Sequence, residues 1–261
     1  MPYAKNGDIN IYYEIEGEGE PLVLAHGGGA NLKLWRNFGY TNALKNDYKL
    51  ILFDFRAHGK SDKPHQESDY GGTLADDVIA ILDELKIPQA NYFGFSTGGL
   101  IGLWLATHYP DRFNSFIFMG VGAFEFPESM LPNDVFMKSL ELLATDPHMA
   151  LQEWEKLYGR KFSDKEKDEF LARDGKALIA MFTAQPKMVP FTNDELTAIS
   201  QPCLLCCGEI DPFYESAKET VKYIPNAEFI SFTGLDHVSS WRQSDIVLPH
   251  IKEFLARINA N

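Results

Sequence analysis

The chain has 261 residues, of which 45% are hydrophobic and 23% charged, enough to bury one sizeable core with room for an insertion. Its 24 Lys and Arg stand against 37 Asp and Glu, a formal charge of −13 with no basic run, which disfavours nucleic acid and anionic membrane surfaces as partners. No apolar run reaches the ~18 residues of a membrane span, and the first ten residues lack a basic-then-apolar leader pattern, so a cytoplasmic protein is expected.

In chain order, Asn6-Gly7-Asp8 predicts a turn, and "INIYYEIEG" after it the second arm of a hairpin. "PLVLAH" and "YKLILFDF" read as short buried strands. "TLADDVIAILDELKI" (Thr73–Ile87) carries apolar residues at 74, 78, 81, 82 and 85, a helical stripe, with Thr73 and Asp76 as its expected N-terminal cap. "NYFGF" is the next strand, "GGLIGLWLATHY" the next helix, and "FNSFIFMG" a strand again. From about Phe124 to Ile199 the strand signal disappears and helical patterns such as "DVFMKSLELLA" and "ALQEWEKLYG" take over. "PCLLCCG" restores the strand pattern, followed by a helix in "FYESAKETVKYI", a strand in "AEFISF" and a C-terminal helix in "SDIVLPHIKEFLARI". Buried strands alternating with helices predict a mostly parallel α/β sheet covered on both faces, with its ligand site at the carboxyl ends of the strands.

All three cysteines fall in "QPCLLCCGE". Strand alternation sets Cys203 and Cys207 on one face and Cys206 on the other, and no second ligand pair follows at zinc spacing. Buried, inert thiols are expected, with no metal site.

Four strand ends carry suggestive residues. Gly94-Phe95-Ser96-Thr97-Gly98 is G-x-S-x-G at a strand-to-helix turn, where small neighbours let the helix pass close to the strand and the hydroxyl stand exposed. Asp211 follows the "PCLLCCG" strand, and His237 the "AEFISF" strand. A neutral histidine can take a serine proton while a buried carboxylate fixes its tautomer. Ser96, His237 and Asp211 are therefore the expected nucleophile, base and acid, ahead of the competing carboxylates Asp236, Glu209 and Glu125. His26-Gly27-Gly28-Gly29 follows the "PLVLA" strand. The N–H groups of Gly28 and Thr97 are the expected oxyanion hole, with Gly29 an alternative donor and His26 structural.

Taken together, "HGGG", "FDFRAHGKSDKP", "GFSTGG", "PDRF", "GEIDPF" and "GLDH" closely resemble the α/β-hydrolase fold family across nearly the whole chain. The resemblance implies an eight-stranded, mostly parallel sheet flanked by helices, with a core of residues 1–123 and 200–261 and a helical cap of residues 124–199. Ala57 stands where relatives commonly carry a glycine, a departure that concerns a loop. "GKSDKP" is similar to what epoxide hydrolases and haloalkane dehalogenases carry, but Ser96 replaces their aspartate nucleophile. The insertion holds five of the seven methionines (Met130, Met137, Met149, Met181, Met188) and aromatics including Tyr158, an adaptable apolar wall of which one or two residues at least should face the pocket. Gly29, Phe124, Trp154, Met181 and Trp241 are the expected substrate-binding residues. The expected activity is cofactor-free serine hydrolysis of a small to medium, mostly apolar carboxylic ester. Enol-lactone hydrolysis, carbon–carbon bond hydrolysis and perhydrolysis share the triad, and a silent ligand receptor is the reading from another class. The expected partner is a small-molecule ester or lactone, and a homodimer is left open.

Overall fold

The computed structural model describes residues 2–126, 128, 135–157 and 159–260; Met130 and Tyr158 lie outside them. Eight strands form one sheet: β1 (Tyr3–Asn6), β2 (Ile9–Glu16), β3 (Glu20–Ala25), β4 (Tyr48–Phe53), β5 (Ala90–Phe95), β6 (Phe113–Met119), β7 (Cys203–Gly208) and β8 (Ala227–Phe232). Their order is β1-β2-β4-β3-β5-β6-β7-β8. The β1–β2 hairpin closes at the Asn6↔Ile9 pair, and β2 runs antiparallel to β4. Every other pairing is parallel.

Helices α1 (Lys33–Asn37), α2 (Tyr40–Leu44), α3 (Thr73–Glu84) and α4 (Thr97–His108) lie between the early strands. Between β6 and β7 come α5 (Val135–Thr145), α6 (Pro147–Leu157), α7 (Asp164–Leu171), α8 (Gly175–Ala184) and α9 (Asn193–Thr197), with no strand among the described residues there. The chain ends with α10 (Tyr214–Thr220), α11 (His237–Arg242) and α12 (Ser244–Asn259). No helix among the described residues is long and apolar enough to cross a membrane.

The central strands read as continuous apolar runs because both faces are covered. In β4, Ile51 and Phe53 join one hydrophobic cluster while Leu50 and Leu52 join the other. In β5, Tyr92 and Phe93 divide the same way. Cys203 belongs to the first cluster and Cys206 to the second, while Cys207 packs with Phe213 and Ala217. Burial pushes all three free thiols well above the ordinary cysteine range, and no metal-binding group occurs among the described residues.

The expected cap of α3 is corrected. Gly72 takes the N-cap position and no side chain caps the helix. Thr73 Oγ1 instead donates back to the Asp69 carbonyl four residues earlier, and Asp76 accepts the Tyr109 hydroxyl 33 residues away, so both polar groups are spent elsewhere. The adjacent Asp77 is fully buried and takes Arg56 as a two-pronged partner: Nε donates to Oδ2 at 2.7 Å and Nη2 to Oδ1. Asn6 adds a third donor, and Arg56 also reaches the Asp69 carbonyl at 2.6 Å. This pair ties the loop after β4 to α3. In that loop Ala57 sits at φ 73, a left-handed conformation in which a glycine is the easier residue. Asp77→Ala strands a buried guanidinium and is expected to cost about 3–5 kcal/mol, read as a lower urea midpoint at unchanged slope.

Candidate active site

The turn between β5 and α4 is held by close backbone approaches. A β-carbon on Gly94 would lie 2.2 Å from the Gly98 carbonyl oxygen, and one on Gly98 would lie 2.2 Å from that of Ala25. Only hydrogen fits at either place. Between them Ser96 adopts φ 54 and ψ −115, a strained backbone for a residue with a side chain. Its N–H donates to the Met119 carbonyl at 2.8 Å, which anchors the strained residue to β6.

The structure brings Ser96, His237 and Asp211 together although 141 residues separate the first two. His237 begins α11, just beyond β8, and its Nε2 lies 2.9 Å from Ser96 Oγ. Its Nδ1 lies 2.8 Å from Asp211 Oδ2. The other carboxylate oxygen of Asp211 accepts the Phe213 N–H at 2.9 Å. A carboxylate at Nδ1 places the ring proton there and leaves Nε2 to accept from the serine hydroxyl. The Asp211 side chain is fully buried and that of His237 is 12% exposed, so solvent reaches the histidine but not its acid. Phe95 and Phe213 flank the imidazole at ring-centroid distances of 4.9 and 5.6 Å.

Two of the competing acids are engaged elsewhere and the third is exposed. Asp236 is the N-cap of α11, accepting the Ser239 N–H at 2.7 Å. Glu209 accepts from Ser231 and Thr233, and Glu125 is exposed.

The glycine run after β3 lies beside Ser96. A β-carbon on Gly28 would meet Phe182 Cζ at 2.4 Å and Thr97 Oγ1 at 2.8 Å, so this glycine answers to close packing. Gly29 has φ 72, a backbone that favours glycine, and open space around it. The Gly29 N–H donates to His58 Nε2 at 2.8 Å and is therefore spent, which removes Gly29 as an alternative oxyanion donor. The N–H groups of Gly28 and Thr97 have no acceptor among the described residues. For Thr97 the reason is general, since the first N–H groups of a helix have no carbonyl behind them. His26 is fully buried, bonds the backbone of Gly27 and Phe55, and does not line the cavity that contains Ser96.

A cavity of about 520 Å³ opens over Ser96. Its wall is mostly apolar and comes both from the strand ends and from the helices between β6 and β7, with Phe136, Leu140, Leu178 and Phe182 on the latter side. Of the expected binding residues, Gly29, Trp154 and Trp241 line it, whereas Phe124 and Met181 do not. Phe124 stacks edge-on against Tyr223. Met181 is fully buried in the core, because the cavity face of α8 and the turn after it is the i, i+4, i+7 row Leu178, Phe182 and Gln185. None of the described methionines between β6 and β7 lines the cavity, whereas the aromatics Phe126, Phe136, Trp154, Phe170 and Phe182 do. Gln185 is an unforeseen member: buried, it donates from Nε2 to Thr97 Oγ1 at 3.1 Å and ties the segment between β6 and β7 to the residue after Ser96. Its only sequence signal is its place in the α8 row.

A serine hydroxyl against a histidine of fixed tautomer, with two N–H groups that lack an acceptor beside one apolar cavity, is an arrangement that fits acyl transfer. Comparison with known proteins agrees with that class. Residues 20–248 match the model of the alpha/beta hydrolase fold family. The chain is 39% identical to 3-oxoadipate enol-lactonase 2 of Acinetobacter baylyi over 121 residues, 44% of this chain and 43% of that protein. Over 96% of its length it is 29% identical to a 2-hydroxy-6-oxononadienedioate/2-hydroxy-6-oxononatrienedioate hydrolase of Paraburkholderia phymatum, covering 92% of that protein. Its backbone also superposes on a structure from a study of Nitrososphaera gargenis carboxylesterases with a TM-score of 0.81, at 22% identity and 99% coverage of both chains, a likeness of fold alone. The chain belongs to the alpha/beta hydrolase fold family and is one of its hydrolases.

Proposed function

We propose that the protein hydrolyses a small to medium, mostly apolar carboxylic ester or lactone through an acyl-enzyme on Ser96. The observation that carries this reading is the unbroken chain Ser96 Oγ–His237–Asp211, at 2.9 and 2.8 Å, opening into an apolar cavity of about 520 Å³. Ser96 Oγ attacks the carbonyl carbon as His237 Nε2 takes its proton. The carbonyl oxygen, now negative, receives hydrogen bonds from the Gly28 and Thr97 N–H groups, supported by the positive end of α4. His237 returns the proton to the departing alkoxide, then takes one from water; the hydroxide formed adds to the acyl carbon, the bond to Ser96 Oγ breaks, and His237 gives its proton back to Ser96 as the acid leaves. Asp211 stays ionised throughout and stabilises the imidazolium. These steps use side chains, backbone and water alone.

Residues 124–199 act as the cap in this reading, since their helices close the cavity over strand ends built from residues 1–123 and 200–261. The name of one relative, an enol-lactonase, supports an ester or a lactone, which is an ester closed on itself; another is named for a 2-hydroxy-6-oxo diacid with no ester in its name, and hydrolysis of a carbon–carbon bond is the alternative. A fluorophosphonate probe should label the wild-type protein and not Ser96→Ala. A panel of p-nitrophenyl esters, simple lactones and a vinylogous 1,5-diketone should give its highest kcat/KM on an ester or lactone. Turnover of the diketone alone would move the reading to carbon–carbon hydrolysis, and a folded wild type that takes no label would remove the nucleophile.

A further inference from the structure

Two buried histidines outside the triad grip the glycine run from behind. His26 and His58 are 0% and 3% exposed, their rings 5.0 Å apart edge to face, and neither lines the cavity over Ser96. His26 Nε2 accepts the Phe55 N–H at 3.2 Å, which leaves the ring proton on Nδ1, where it is donated to the Gly27 carbonyl at 2.8 Å. Ala30 N–H donates to the same carbonyl at 3.2 Å. His58 has the same tautomer: Nδ1–H donates to the Arg56 carbonyl at 3.0 Å, and Nε2 accepts the Gly29 N–H at 2.8 Å.

The Gly27 carbonyl and the Gly28 N–H belong to one planar trans peptide and point in opposite directions. Whatever fixes the carbonyl therefore aims the N–H. The Gly29 N–H belongs to the next peptide, so the units on both sides of Gly28 are pinned, one by each histidine. Glycines turn about φ and ψ more freely than other residues, so three in a row would otherwise scatter this donor over many directions. Donors on the Gly27 oxygen also polarise that amide and strengthen its N–H.

We propose that His26 and His58 are positioning residues that aim the Gly28 N–H at the developing oxyanion, with His58 also withdrawing the competing Gly29 N–H. The inference rests on the reading of Gly28 as an oxyanion donor. Burial holds both imidazoles below the ordinary histidine range, which keeps His58 Nε2 a bare acceptor.

The test compares wild type, His58→Leu, His58→Gln and Ser96→Ala on the best p-nitrophenyl ester, with an alkyl boronic acid as a tetrahedral mimic. His58→Leu should lower kcat about 10- to 100-fold, part of the 10²–10³ of a deleted oxyanion donor, with KM within about threefold. Boronic acid inhibition should weaken by a similar factor. His58→Gln, whose amide oxygen can reach the position of Nε2, should recover most of the loss. In the wild type itself, ¹⁵N NMR should show both rings as Nδ1–H tautomers, a readout independent of any variant. A folded His58→Leu with normal kcat beside an inactive Ser96→Ala would overturn the inference and leave the catalytic reading standing. So would a His58 ring that carries its proton on Nε2, or a loss that falls on stability and KM with boronic acid affinity unchanged. Full turnover by Ser96→Ala would instead remove the catalytic reading, and the inference with it.

Discussion

Ser96→Ala should lower kcat by about 10⁶-fold on the preferred ester, the scale seen when a serine nucleophile is removed from a working triad, while KM stays within a few-fold. The fold should be untouched. Alanine keeps the β-carbon in the same φ 54 backbone, and the Ser96 N–H to the Met119 carbonyl is a main-chain bond that the substitution spares. The hydroxyl itself has His237 Nε2 as its partner in a site open to solvent, so its removal strands no deeply buried group. Thermal unfolding and far-UV circular dichroism should therefore match wild type. A loss of only tenfold would mean that Ser96 binds but does not attack, and a loss that follows unfolding would mean that the turn needs the hydroxyl for its shape.

What the sequence made legible follows from how local the cause is. The glycines at 94 and 98 are demanded by contacts a few residues away or on the neighbouring strand, so the G-x-S-x-G spacing carried its own explanation. The buried parallel strands announced themselves as apolar runs for the equally local reason that both faces are covered. Asp211 and His237 were visible as polar residues just past strands, where an open α/β sheet gathers its chemistry. The wall of the cavity was less visible. Which face of α8 looks inward depends on how the helix is rotated in the fold, and a one-residue step around the helix separates Met181 in the core from Phe182 over Gly28. Periodicity marks both as apolar and cannot tell a core from a cavity. Gln185 and His58 were missed for a related reason: their partners, Thr97 and Gly29, lie 88 and 29 residues away, and nothing local distinguishes them from ordinary polar residues. The three glycines after His26 looked like one flexible run. The structure assigns Gly28 a packing need and Gly29 a backbone need.

Asp211→Asn should lower kcat by about 10⁴-fold, with the protein folded and KM little changed. The direction follows from the second partner of the carboxylate. The Phe213 N–H donates to Oδ1 at 2.9 Å inside a fully buried setting, so an asparagine must keep its oxygen there. Its NH₂ then occupies the place of Oδ2, facing His237 Nδ1 at about the same 2.8 Å spacing. Two donors cannot share that contact, so the ring must carry its proton on Nε2 and leave Nδ1 bare. Nε2–H then points at Ser96 Oγ and cannot accept its proton. The nucleophile stays in place without a base, and fluorophosphonate labelling should slow with kcat rather than vanish with the fold. Asp211→Ala should be at least as slow and also less stable, since it leaves the buried Phe213 N–H without an acceptor. Near-normal turnover by Asp211→Asn would require another carboxylate at Nδ1. Glu209, two residues earlier, is the nearest in sequence, and it would first have to release Ser231 and Thr233.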